Sequence, residues 1–103
     1  MKYLLTFLSF IIGLTVSAQP KSVSYQPTTF YNNFSHKVAP VAKVAQGDTL
    51  VSESVDAAGY DKIGVRVAKR GNPVTGPFYI EGAMPGDIVA ITLTNVSINR
   101  DYA

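Results

Sequence analysis

Apolar and polar residues alternate along several short stretches of this chain and nowhere after residue 20 settle into a helical period. Ile63, Val65 and Val67 alternate with Gly64, Arg66 and Ala68. This is the clearest period-two run, and it predicts a half-buried strand. A longer strand is predicted from Ile88 to Val96, with Val89, Ile91 and Leu93 on one face and Ile88, Ala90, Thr92 and Thr94 on the other. Val96 and Ile98 continue on the opposite parity from Leu93, which predicts a bulge near Asn95. Thr49 to Val55 sets Val51, Glu53 and Val55 against Leu50, Ser52 and Ser54. Both faces are mixed, as in a sheet covered on both sides. Thr28 to Tyr31, Val38 to Val44 and Phe78 to Glu81 complete the set. Pro40 has no N–H to donate and belongs at an edge or a strand start.

Turn residues separate these runs. Gln46-Gly47-Asp48, Asn72-Pro73, Gly76-Pro77 and Met84-Pro85-Gly86-Asp87 place proline, which presets φ, and glycine, which supplies φ > 0, where tight turns need them. Asp56 to Asp61 interrupts the strand pattern as a loop with two carboxylates. Short strands at spacings of about 8 to 12 residues predict an all-β fold, an antiparallel sandwich or barrel, with a jelly-roll-like β-sandwich the favoured form.

The first residues follow a different pattern. Lys2 precedes a mostly apolar run from Leu4 to Val16, and Val16-Ser17-Ala18 places small residues before Gln19. Residues 1–18 therefore read as a signal peptide, too short in its apolar part for the ~18 residues of a spanning helix. Export to the periplasm or the medium, with no stable membrane anchor after cleavage, is the expectation. Residues 19–27 are polar with two prolines and read as a flexible leader, and residues 28–103 as the β portion.

Composition narrows the chemistry. The 103 residues contain no cysteine, which excludes disulfides, thiolate ligands and a cysteine nucleophile. Nine basic residues face seven acidic ones, and Lys2 would leave with the signal. The isoelectric point near 9.0 therefore reflects a small excess of base, not a basic surface. Lys69-Arg70 is the only adjacent basic pair, and nucleic-acid binding is not expected.

Amide hydrolysis needs an activated water or nucleophile, a stabilised oxyanion and a proton for the leaving amine. The chain offers one histidine, His36, and the acids Asp48, Glu53, Asp56, Asp61, Glu81, Asp87 and Asp101. H-E-x-x-H, G-x-S-x-G and phosphate-binding glycine loops are absent. His36, in a polar stretch, reads as a loop histidine. Asp48 and Asp87 follow glycine at corners, where an Asp carboxylate caps nearby N–H groups. Asp101 reads as an exposed ion pair with Arg100. Glu53 lies mid-strand, where acids are depleted, Asp56 closes the same strand, and Glu81 sits at a strand end before Gly82-Ala83. These three are the catalytic candidates, each against the plainer reading of a solvated or turn-bonded acid. No cofactor-binding residue and no metal ligand is assigned.

Three linked segments, PVAKVAQGDTLVSESVDAAGYD, GNPVTGPFYIEGAMPGD and INRDYA, closely resemble the acetamidase/formamidase family, in which a GDT-x-x-x-E-x-VDA element precedes a TGP-x-x-x-EGA-x-PGD element. The resemblance extends from Phe34 to Ala103. It implies hydrolysis of short amides to carboxylate and ammonia by a β-rich enzyme carrying a divalent metal, zinc or similar, with a small amide as substrate. Whether the enzyme is a homo-oligomer is left open. Some members have a histidine before the Pro-x-Thr-Gly-Pro element. Asn72 stands there in this chain, so no role passes from that imidazole. Glu53, Asp56 and Glu81 match family positions to which the resemblance attaches no role. The His-, Asp- and Glu-rich motifs of the family lie in later portions, so the expectation is an N-terminal part of a larger enzyme, itself inactive. The alternative is a small secreted noncatalytic β-sandwich that binds a ligand or partner. A third reading, a noncatalytic subunit completed by a separate chain, predicts exposed apolar strand edges.

Overall fold

A computed structural model describes residues 18–102. The signal-peptide reading of residues 1–18 falls, apart from Ala18, outside the described residues. Four short strands occur, β1 (Ser22–Tyr25), β2 (Ala42–Val44), β3 (Thr49–Ser52) and β4 (Phe78–Ile80), with no helix among the described residues. The chain is all-β, as its alternation predicts.

The pairing differs from the expected antiparallel arrangement. β1 pairs with β3 in parallel, Ser22 opposite Thr49 and Tyr25 opposite Ser52, and β2 pairs with β4 in parallel, Ala42 opposite Phe78 and Val44 opposite Ile80. Strands that are neighbours in sequence belong to different sheets. The reason lies at residues 45–48, where the chain turns after β2 and β3 leaves toward β1 instead of folding back. Among the described residues, antiparallel contacts are confined to two isolated bridges, Tyr31 with Val74 and Tyr60 with Arg66.

β1 lies within residues 19–27, the stretch read as a leader. Its start is fastened by Asp48, whose Oδ1 accepts the Lys21 N–H at 3.0 Å while Oδ2 accepts the Ala45 N–H at 2.9 Å. Thr49 N–H donates to the Lys21 carbonyl and begins the ladder. Within SVSY, Val23 and Tyr25 are half-buried and the serines exposed, a period of two too short to stand out among polar neighbours.

Two of the expected strands do not form. Residues 63–67 are wound into a loop, because the Asp61 carboxylate bonds its own following backbone and Gly64 takes φ +79°, outside the strand region. Among the described residues, the Ile88–Val96 segment has no partner strand, and no backbone–backbone hydrogen bond involves residues 88–98. With no ladder there, the expected bulge near Asn95 has nothing to interrupt. The expected strand at Thr28 to Tyr31 is reduced to its bridge at Tyr31.

Among the described residues no hydrophobic side chain is fully buried. Val23, Tyr25, Val44, Leu50, Phe78 and Ile80 are half-buried, a thin apolar layer contributed by all four strands. Tyr25 meets Phe78 edge to face, with ring centroids 5.7 Å apart, and this contact links the two sheets.

Candidate functional site

Between β3 and β4 the chain makes two successive loops of the same design. In D56-A-A-G-Y, the Asp56 Oδ1 accepts the N–H groups of Ala58 and Tyr60, both at 2.9 Å. In D61-K-I-G-V, the Asp61 Oδ1 accepts those of Ile63 and Val65, at 3.0 and 2.9 Å. The backbone follows suit. Gly59 N–H donates to the Asp56 carbonyl and Gly64 N–H to the Asp61 carbonyl, while the Asp56 and Asp61 N–H groups donate to the carbonyls of Tyr60 and Val65. Each loop needs glycine at its fourth position, with φ of +90° at Gly59 and +79° at Gly64. Gly59 is doubly required, since a Cβ there would run into the Ala68 carbonyl.

Arg100 ties this tandem loop to the end of the chain. Its Nη2 donates to Asp56 Oδ2 at 2.6 Å and its Nη1 to the Asp61 carbonyl at 3.2 Å, so one guanidinium bridges both loops. The guanidinium also lies 5.0 Å from the centre of the Tyr102 ring, and its side chain is only 12% exposed. This corrects the expected Arg100–Asp101 pair: the partner of Arg100 is Asp56. The Tyr60 N–H and the Arg100 guanidinium, with the Ala58 N–H, hold the Asp56 carboxyl well below its ordinary 3.8, at about 2. The same pair raises Arg100.

The tandem loop forms one wall of a cleft of about 280 Å³. Glu53, Lys62, Thr28, Ser54 and Asn99 bring polar groups to it, and Phe30, Val55 and Ile63 supply apolar surface. Glu53 Oε1 accepts a hydrogen bond from Lys62 Nζ at 2.9 Å, so a carboxylate and an ammonium sit side by side at the cleft. Thr75 Oγ1 donates to the Glu53 carbonyl and fixes its backbone from the far strand connection. An apolar cleft of about 220 Å³ lies elsewhere, between Tyr31, Phe34, Val38, Val74 and Pro77.

The three catalytic candidates are thus placed differently. Glu53 faces the larger cleft. Asp56 is spent on two N–H groups and a guanidinium. Glu81 stands exposed at the turn after β4, its N–H donating to the Val44 carbonyl, and lines neither cleft. His36 is exposed in a turn. Asp48 and Asp87 cap their corners as expected, Asp87 Oδ2 accepting the Met84 N–H at 2.8 Å. Among the described residues, no group of three or more His, Asp or Glu side chains is arranged to hold a metal ion. The sequence reading overlooked Arg100 and the tandem loop. The five-residue recurrence D-x-x-G in DAAGY and DKIGV was the signal that could have revealed the loop.

The family model of the acetamidase/formamidase family matches residues 17–102, and the chain belongs to that family. The match reaches further toward the N-terminus than the motifs do and takes in β1. No curated protein and no solved structure matches the chain.

Proposed function

We propose that this chain is the N-terminal β portion of an amidase that hydrolyses short linear amides such as acetamide or formamide. The family match over residues 17–102 carries the reading. In the reaction, water adds to the amide carbon and the C–N bond breaks, giving carboxylate and ammonium. The cleft beside β3 has the size and mixed polarity to accept such a molecule, an acyl group against Phe30, Val55 and Ile63 and the amide toward Glu53 and Lys62. Glu53 would accept from the amide N–H₂ and Lys62 would donate to its carbonyl, which orients the bond for attack. Glu81 and Asp56 have no such position, and Asp56 is held ionised by its partners.

A divalent ion such as zinc, when bound, would polarise the amide carbonyl and activate water. The described residues do not form a ligand set for it. In this proposal the ligands, and with them the catalytic centre, come from polypeptide beyond the segment described, which also completes a layered β-sandwich. The 103-residue chain alone is then inactive.

The test is ammonia release from acetamide and formamide, with and without added zinc, by the 103-residue chain and by any longer product of the same reading frame. Turnover is expected from the longer product alone. If the frame ends at Ala103 and the folded chain releases no ammonia, the amidase reading of this chain is lost. The alternative, a noncatalytic secreted binding module, is favoured by the aromatic-walled cleft at Tyr31 and Phe34 and would then stand. Export is part of the same proposal. Its signature is a mature protein whose first residue, by mass spectrometry, is Gln19, and recovery of the intact chain from the cytoplasm alone would contradict it.

A further inference from the structure

The segment Ile88 to Ile98 is the largest feature that the cleft and the tandem loop leave unexplained. It is fastened at both ends, by the Asp87 turn to Met84 and by Arg100 to Asp56 and Asp61. Between these points none of its backbone groups bonds to the backbone of another described residue. Its apolar side chains face solvent on both parities, with Ile88 at 97% exposure and Leu93 at 79%. The segment carries no charge and no proline. Proteins usually protect an exposed strand edge with a charge, a proline or a bulge. Here no such protection exists, so the edge is open to a second strand.

We propose that this segment pairs with the same segment of a second copy, antiparallel about a two-fold axis at Leu93. A palindromic register makes the strand complementary to itself. With Leu93 opposite Leu93, Thr92 faces Thr94, Ala90 faces Val96 and Ile88 faces Ile98. One face of the pair is therefore apolar against apolar, with a threonine pair at its middle, and both kinds of pair stabilise antiparallel sheets. On the other face Val89 meets Ser97 and Ile91 meets Asn95. Asp87 falls opposite Asn99, and no like charges are opposed. An 11-residue ribbon about 35 Å long, with apolar contact along one face and at the Leu93 pair on the other, approaches the roughly 800 Å² per partner of an ordinary stable interface. The inference stands apart from the amidase reading, since it concerns assembly and is measured without turnover.

The absence of cysteine makes the register directly testable. In an antiparallel pair, opposed Cα atoms lie about 4.5 to 5.5 Å apart, within the range of a disulfide. Leu93→Cys in the full chain, exposed to oxidised glutathione, is expected to give a disulfide-linked dimer, whereas Ile91→Cys alone gives little. Mixing Thr92→Cys with Thr94→Cys is expected to give the mixed dimer. Light scattering should return twice the single-chain mass for the unmodified protein and a single-chain mass for Leu93→Lys, which opposes two ammonium groups at the axis. A single-chain mass for the unmodified protein at every concentration overturns the proposal. So does a dimer that survives Leu93→Lys, or cross-linking equally efficient at positions 91 and 93. A different polypeptide bound along the segment in place of the second copy also overturns it.

Discussion

Asp56 shows how far a residue's type can mislead about its task. An acid closing a strand, within reach of small residues, has the address of a catalytic carboxylate. The structure gives its oxygens to Ala58, Tyr60 and Arg100 instead. A carboxylate with these partners is a poor proton carrier near neutral pH, because its proton is lost at about 2. The sign of its pH dependence follows. The folded value lies below the ordinary 3.8, so the stabilising contribution is complete above 3.8 and fades as pH falls toward about 2. A carboxyl-detected NMR titration should find Asp56 titrating well below its ordinary 3.8, at about 2, with the Ala58 and Tyr60 amides losing exchange protection over that same acid range. In Arg100→Ala its midpoint should move upward while the Tyr60 and Ala58 N–H groups keep it below the ordinary value. A midpoint near 3.8 in the unmodified protein would refute this assignment. The sequence showed Asp56 to be a loop acid, but a partner 44 residues away is invisible to local pattern.

At the level of elements, the corner at Ala45 to Asp48 decides more than any strand. Residues 84–87 repeat its sequence logic, glycine then aspartate, and its geometry: the Asp N–H donates to the carbonyl three residues back, and the Asp carboxylate accepts that residue's N–H. Asp48 alone uses its second oxygen to hold Lys21. Replacing it with alanine should release β1 and leave β2 paired with β4. The amides of Val23 to Tyr25 should lose hydrogen-exchange protection, and those of Val44 and Ile80 should keep it. Asp48→Asn, with one acceptor left, should fall between the two. Uniform loss of protection across both sheets would show that the corner is not a separable clamp. The turns were legible from Gly47-Asp48 and Gly86-Asp87, but not as hairpins, since neither joins strands that pair. That the first corner joins different sheets was not, because turn chemistry sets the local bend and leaves the choice of partner open.

For the molecule as a whole, the radius of gyration of 22.8 Å exceeds the roughly 13 Å of a compact domain of 100 residues. Half-buried side chains in four short strands do not close a core, and the chain has no disulfide to compensate. Among the described residues, apolar surface remains exposed. The long apolar run from Ile88 to Ile98 is where that surface is concentrated. Pairing of this run with its own copy and completion of the sandwich by further polypeptide both answer the same physical need. Their consequences differ: the first doubles the mass of the chain, and the second changes its length.

The sequence by itself determined the all-β class, the positions of the capped corners and the family, because strand alternation, the Gly-Asp turn and linked motifs are each written within a few neighbouring residues. Only the tertiary structure decided that β1 exists, that both ladders are parallel, and that the clearest alternating run, Ile63 to Val67, is a loop. It also decided that Glu53 faces a cleft while Asp56 serves Arg100. For the ladders, the cleft and Arg100 the outcome depends on which distant segments meet in space, whereas the loop forms because the Asp61 carboxylate takes the N–H groups that a ladder would need.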